Sequence, residues 1–155
     1  MVLSAQRQAP HSGFGAVDVA AAVFRWAIRS PEPTASDVHA VAPIFTASKR
    51  ASAQQQLIAD YQASPNPSGG VVPDGQPFYL TTASGQWVLS PGATADRASV
   101  DVQAFFVIDG AVSPTKSLTE TFNLVWQDGA WHLDGLAKGD AEKVAAGGTQ
   151  FTAGC

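Results

Sequence analysis

Cys155, the last residue, is the only cysteine in this 155-residue chain. One thiol excludes an internal disulfide and any zinc site built on cysteines. No His or Arg stands beside it in sequence to activate it, so a passive thiol is the better reading, with crosslinking between chains the one function left to it. Charge is also scarce: 14% of residues are Asp, Glu, Lys or Arg, against about 25% in an ordinary domain. The nine Lys and Arg are scattered, with Lys49-Arg50 the only local cluster, and the net charge is -4. Binding driven by phosphate neutralisation needs a basic stripe, so nucleic acid is excluded as a partner.

Long apolar runs are missing too. A run such as Ala20–Phe24 falls far short of the ~20 residues of a membrane span. The start, Met1-Val2-Leu3-Ser4-Ala5-Gln6-Arg7, lacks the charged-then-apolar plan of a signal peptide. The chain as it stands is expected to be soluble, and a chain parted from a membrane anchor would read the same. There is no phosphate-binding glycine loop, no dinucleotide fingerprint, no His-Glu-x-x-His and no nucleophile elbow. The three histidines (His11, His39, His132) fall in different elements without ligand spacing. No metal or cofactor is implied.

What is present reads as one core. Residues 1–15 are rich in Gln, Pro, Ser and Gly and suggest an extended lead-in. From Ala16, the residues Val17, Ala20, Ala21, Phe24 and Ile28 share a helical face. Asp18 lies near the start and Arg25 and Arg29 near the end, as the helix dipole favours. Ser30-Pro31-Glu32-Pro33 stops this helix. A short second helix is expected from a Ser36 cap to about Val41. A third is expected over Ala47–Gln62, burying Leu57, Ile58 and Tyr61. The Pro/Gly/Ser stretch to Pro73 then reads as a crossover into a sheet, because too little follows it for a second domain.

After Pro77 the period changes to two. Phe78–Ser90 is a strand, bent near Ala83-Ser84-Gly85, where glycine suits a bulge. Arg97–Asp109 is another, with Val100, Val102, Ala104, Phe106 and Ile108 on one face. The clearest local signal is Asp128-Gly129, a two-residue turn whose geometry needs positive φ at both positions. Closing a hairpin there opposes Gln127 to Ala130, Trp126 to Trp131, Val125 to His132 and Leu124 to Leu133. Beyond Gly139 the Ala/Gly/Thr-rich residues 140–155 read as a tail that lies along the sheet or frays. Residues 16–139 thus form a single α+β domain, N-terminal helices packed on an antiparallel sheet.

Few side chains offer chemistry. Glu120 shares a strand face with Leu118, Phe122, Leu124 and Trp126; it could be a general base in an apolar pocket, though a carboxylate at a strand end more often reaches solvent. His132 and Asp134, two apart on the polar face, could pair as acid and base, but a solvated or interface-facing pair is favoured. Tyr61 and Tyr79 could line the gap between helix and sheet, with core packing the better reading. Asp101 is the remaining candidate for catalysis. The tryptophans lie on apolar faces, which makes core the default for Trp26, Trp126 and Trp131; Trp87 is the one expected to be exposed as a binding residue.

The order of elements, and the close Phe122-Asn123-Leu124-Val125-Trp126-Gln127-Asp128-Gly129-Ala130-Trp131-His132-Leu133, resemble the nuclear transport factor 2-like, cystatin-like superfamily. That resemblance implies a strongly curved sheet, a cone-shaped roll. Four segments are similar to a narrower group, actinobacterial proteins encoded on conjugative elements and related to the conjugation protein TcpC and to the scaffold subunits of type IV secretion. These are Ser12-Gly13-Phe14-Gly15-Ala16-Val17, Ala59-Asp60-Tyr61, the Trp126…Trp131 hairpin and the ending Gly148-Thr149-Gln150-Phe151-Thr152-Ala153-Gly154-Cys155. The resemblance implies an extracytoplasmic domain, membrane-associated through an anchor that this chain lacks. Its partners would be protein subunits of an envelope complex, further copies of itself among them.

The functional expectation is therefore a non-catalytic assembly or docking domain, with Trp87, His132 and Asp134 as interface residues. The alternatives are a small-molecule enzyme of the isomerase, dehydratase or cyclase type, using Glu120, Tyr79 or Asp101, and a carrier that holds a ligand in the same cone. A filled cone with an exposed Glu120 would argue against both alternatives.

Overall fold

The computed structural model describes residues 1–152, and the expectations for Cys155 lie outside them. Among the described residues, five α-helices and an antiparallel, strongly curled sheet make up an α+β fold. The long strands follow one another in space as in sequence: β2 (Phe78–Leu89), β3 (Arg97–Ile108), β4 (Ala111–Gln127) and β5 (Ala130–Lys138). Two-residue strands β1 (Arg29–Ser30) and β6 (Thr149–Gln150) share the outer edge of β2.

Two Asp-Gly dipeptides set the register of this meander. Asp128-Gly129 turns with φ of 50° and 78°, and the pairing is Gln127 with Ala130, Trp126 with Trp131, Val125 with His132 and Leu124 with Leu133, as expected. Asp109-Gly110, read from sequence only as the end of a strand, has φ of 52° and 79° and joins Ile108 to Ala111 in a second tight hairpin. β2 bends where the sequence suggested, between Thr81 and Gln86. A Cβ at Gly85 would overlap the Gln103 carbonyl oxygen, which is why glycine is needed there.

α2 (Gly13–Ala27) crosses the concave face against all four long strands. Beneath it Phe24, Phe106, Phe122, Leu124 and Trp131 are each at most 2% exposed. Phe24 meets Phe122 edge to face at 5.4 Å. Each such side chain contributes roughly 1.5–3 kcal/mol by its burial. The deep interior of the curl is therefore filled.

The start of the chain departs from expectation, while the described tail lies along the sheet, one of its two expected courses, and adds a helix that the sequence did not suggest. Residues 1–15 are not an extended lead-in. α1 (Val2–Gln8) buries Val2 and Gln6, and α2 begins at Gly13, where the Ser12 hydroxyl accepts from the Gly15 amide. Asp18 consequently lies beyond the first turn. A seven-residue helix is marginal alone; this one holds because Gln6 donates to the Trp131 carbonyl at 2.8 Å, a contact 125 residues away. The tail is ordered over its described part. α5 (Ala141–Gly147), capped by Asp140, packs on β2 and β3, and β6 then lies along the sheet. Between these ends, α3 (Ala35–Ala40) is capped by Thr34 instead of Ser36, in a reciprocal box with Asp37. α4 (Arg50–Ala63) starts three residues later than expected.

Candidate functional site

β5 is an edge strand, and its outer edge is covered for only half its length. The Trp131 carbonyl accepts from Gln6 Nε2 at 2.8 Å and the Leu133 carbonyl accepts from the Thr46 amide at 3.1 Å. Phe45 forms a parallel bridge with Leu133. His132 Nδ1 lies 3.0 Å from the Pro43 carbonyl oxygen. At Thr46 the chain turns away toward α4, and among the described residues no strand pairs with Gly135–Lys138 on that side.

Between this bare edge and α4 lies an apolar cleft with two lobes. The larger, about 420 Å³, is lined by Val2, Trp26, Ile44, Phe45, Ala53 and Leu133 among others. The smaller, about 320 Å³, reaches Phe24, Tyr61, Glu120 and Phe122. Val23, Ala27, Leu57, Asp60 and Leu136 line both lobes and join them. Cavities of this size and character are where proteins take apolar guests.

Polar groups in the cleft are few. Tyr61 donates its hydroxyl to the Ala27 carbonyl at 2.8 Å, and burial raises its pKa well above the ordinary phenol. Asn66 spends its amide hydrogens on the Val72 carbonyl and Asp74. Asp60 accepts from Gln56 at 2.7 Å. At the far end Lys49 pairs with Asp134 at 3.0 Å. Glu120 is half-buried, and desolvation pushes its carboxyl above the usual range. It forms no ion pair among the described residues. Lys138 stands opposite it across β4 and β5, but is exposed and among the described residues pairs with no carboxylate.

The three candidates for catalysis do not meet. Tyr79 is 53% exposed on β2, opposite Arg29, outside the cleft and not in the core. Asp101 faces away from Glu120, because Asp101 pairs in register with Thr121 and the strand alternates. It is 3% exposed under α5, with bonds from Thr121 and Lys143. Only Glu120 lines the cleft.

No protein-family model matches the chain, and neither does any curated protein or solved structure. The site is therefore read from its own geometry.

Of the expected interface residues, His132 and Asp134 do not pair with each other; each is bonded to the chain's own 43–49 segment. Trp87 is half-buried, edge to face with Phe14 at 5.7 Å, while Phe14 is 68% exposed. Among the described residues no three of His, Cys, Asp and Glu gather as metal ligands. No helix there is long and apolar enough to cross a membrane.

Sequence reasoning placed Leu57 and Tyr61 on the inner face of their helix and put Glu120 on an apolar face. It passed over Leu136 and the 43–49 segment. Leu136 carried a faint signal, an apolar residue in the polar stretch Asp134–Lys138 after a regular hairpin. The segment 43–49 carried none, since its partners are some 90 positions distant.

Proposed function

We propose that this chain is a non-catalytic docking domain that receives a partner protein in the cleft between α4 and β5. The observation that carries the reading is the cleft itself: apolar, joined to an open strand edge, rimmed by a 57% exposed Leu136, and lined by two carboxylates, Asp60 and Glu120, that form no ion pair among the described residues. Exposed apolar groups on a bare edge are a liability unless something covers them. Consistent with the resemblance in sequence, the partner is a subunit of a conjugative transfer or secretion apparatus at the cell envelope. The domain acts outside the cytoplasm, tethered by an anchor outside this chain.

A photo-crosslinking residue at Leu136, expressed in the native host, tests this. The expected result is one discrete adduct with an envelope protein, or with a second copy of the chain, abolished by Leu57→Asp. Absence of any adduct in cells that carry out transfer overturns it.

Glu120 favours a second reading, a small-molecule enzyme or carrier. A carboxylate raised by desolvation is a competent base for removing a proton from carbon. Such chemistry also needs a donor aimed at the developing oxyanion, and the Tyr61 hydroxyl is already committed to Ala27. Turnover of a small carbonyl compound, lost in Glu120→Gln, would establish this reading in place of the first.

A further inference from the structure

The chemistry of the occupant can be read from the charges of the cleft. We infer that the α4–β5 cleft takes an extended segment of the partner, added as a strand to Gly135–Lys138, with a lysine or arginine directed at Glu120. This rests on the docking reading and specifies it.

Two independent observations support it. The first is that the fold already uses this edge in the way proposed. Phe45 and Thr46 lie along β5 as a one-bridge parallel strand, bonding to Leu133, and stop where the chain turns into α4. Past Asp134, whose carbonyl accepts from Lys49 Nζ at 2.6 Å, no strand among the described residues pairs with the outer edge of Gly135–Lys138. Strand addition supplies main-chain hydrogen bonds for affinity and side-chain pockets for specificity. Alternate side chains of an added strand point to one face, here the cleft between α4 and the sheet.

The second is charge. The lobe beside Leu136 is lined by Asp60 and Glu120 and by no Lys, Arg or His among the described residues. Its other polar side chains are largely committed: Tyr61 to Ala27, Asn66 to Val72 and Asp74. The nearby Arg29 pairs with Asp37 at 3.5 Å, and Lys49, at the opposite end, with Asp134. Lys138, opposite Glu120 in register, is exposed and among the described residues forms no ion pair with it, so the lining of the lobe itself holds no cation. A guanidinium or ammonium on an apolar stem matches apolar walls that end in a carboxylate. An acidic segment would bring like charges together in a partly desolvated site.

The test uses the full chain, labelled with nitrogen-15, and capped octapeptides that alternate threonine and valine. One central valine is replaced by lysine, glutamate or norleucine. Amide shifts are expected at Gly135–Lys138 and along the cleft face of α4. The lysine peptide should bind about tenfold tighter than the glutamate peptide. Glu120→Gln should bring that ratio close to one. Leu136→Asp, at an exposed position, should abolish binding of the norleucine peptide.

If the lysine and glutamate peptides bind equally, or the preference survives Glu120→Gln, the cation assignment is overturned and docking through the cleft stands. If none of the peptides shifts Gly135–Lys138 at millimolar concentration, strand addition is overturned. Phenethylamine that binds beside Glu120 without moving those edge amides would assign the lobe to a free amine and overturn the peptide proposal.

Discussion

Lys143 holds its ammonium 2.6 Å from the carboxylate of Asp101, which is 3% exposed. The contact joins α5 to the outer face of β3. Burial works to raise the Asp101 carboxyl, but the bonds from Lys143 and Thr121 and the Lys143 charge outweigh it and hold the pKa below its ordinary value. Lys143→Met leaves that carboxylate unpaired. Breaking a fully buried pair costs ~3–5 kcal/mol. Because Lys143 is about a third exposed, about 2–3 kcal/mol is expected in urea unfolding.

The same pair sets an acid limit. A group whose folded pKa is depressed adds stability that is complete above its unfolded value and is lost as pH falls through the folded one. The contribution of Asp101 should therefore begin to decline near pH 3.8 and disappear below its lowered pKa. Hydrogen exchange of the α5 amides, followed from pH 6 downward, should show protection lost there before it is lost in β3 and β4. Uniform loss across the chain would contradict this.

Glu120 carries the opposite sign. Its folded pKa is raised by desolvation, so its contribution is full below the unfolded value and lost as pH rises through the folded one. Glu120→Gln should raise the melting temperature at pH 7, and the gain should vanish below pH 4.5. Thermal denaturation of both proteins across that range measures it. A variant less stable at pH 7 would show that Glu120 has a stabilising partner.

Gly15 lets α2 start against the preceding chain. A Cβ there would overlap the Pro10 carbonyl, the same oxygen that accepts from the Trp131 indole at 3.0 Å. Gly15→Ala should displace Pro10 and free the indole, costing about 1–3 kcal/mol. Near-ultraviolet circular dichroism would report the loosened Trp131, which stacks edge to face with Trp126 at 5.5 Å.

Gln6 makes α1 part of the fold. Gln6→Ala removes the donor to the buried Trp131 carbonyl and should cost about 1–3 kcal/mol. Unchanged stability would return residues 1–8 to the status of a lead-in.

What the sequence determined by itself was local. Asp128-Gly129 imposes positive φ on two adjacent residues, and that alone aligned Trp126 with Trp131 and fixed which side chains face the core. The period-two stretches gave the strands, and the apolar stripe from Val17 to Phe24 gave the helix beneath which the curl is filled. These depend on neighbours a few residues apart, whose geometry the backbone dictates.

Tertiary structure decided the rest. α1 and α5 are too short to persist alone and exist because Gln6 finds Trp131 and Lys143 finds Asp101. The cleft is made by Leu57 on α4 and Leu136 on β5, and by a sheet edge that Phe45 and Thr46 cover only in part. No periodicity encodes such a gap: it is the space left over when elements distant in the chain pack together, and only their packing determines its width and its charge.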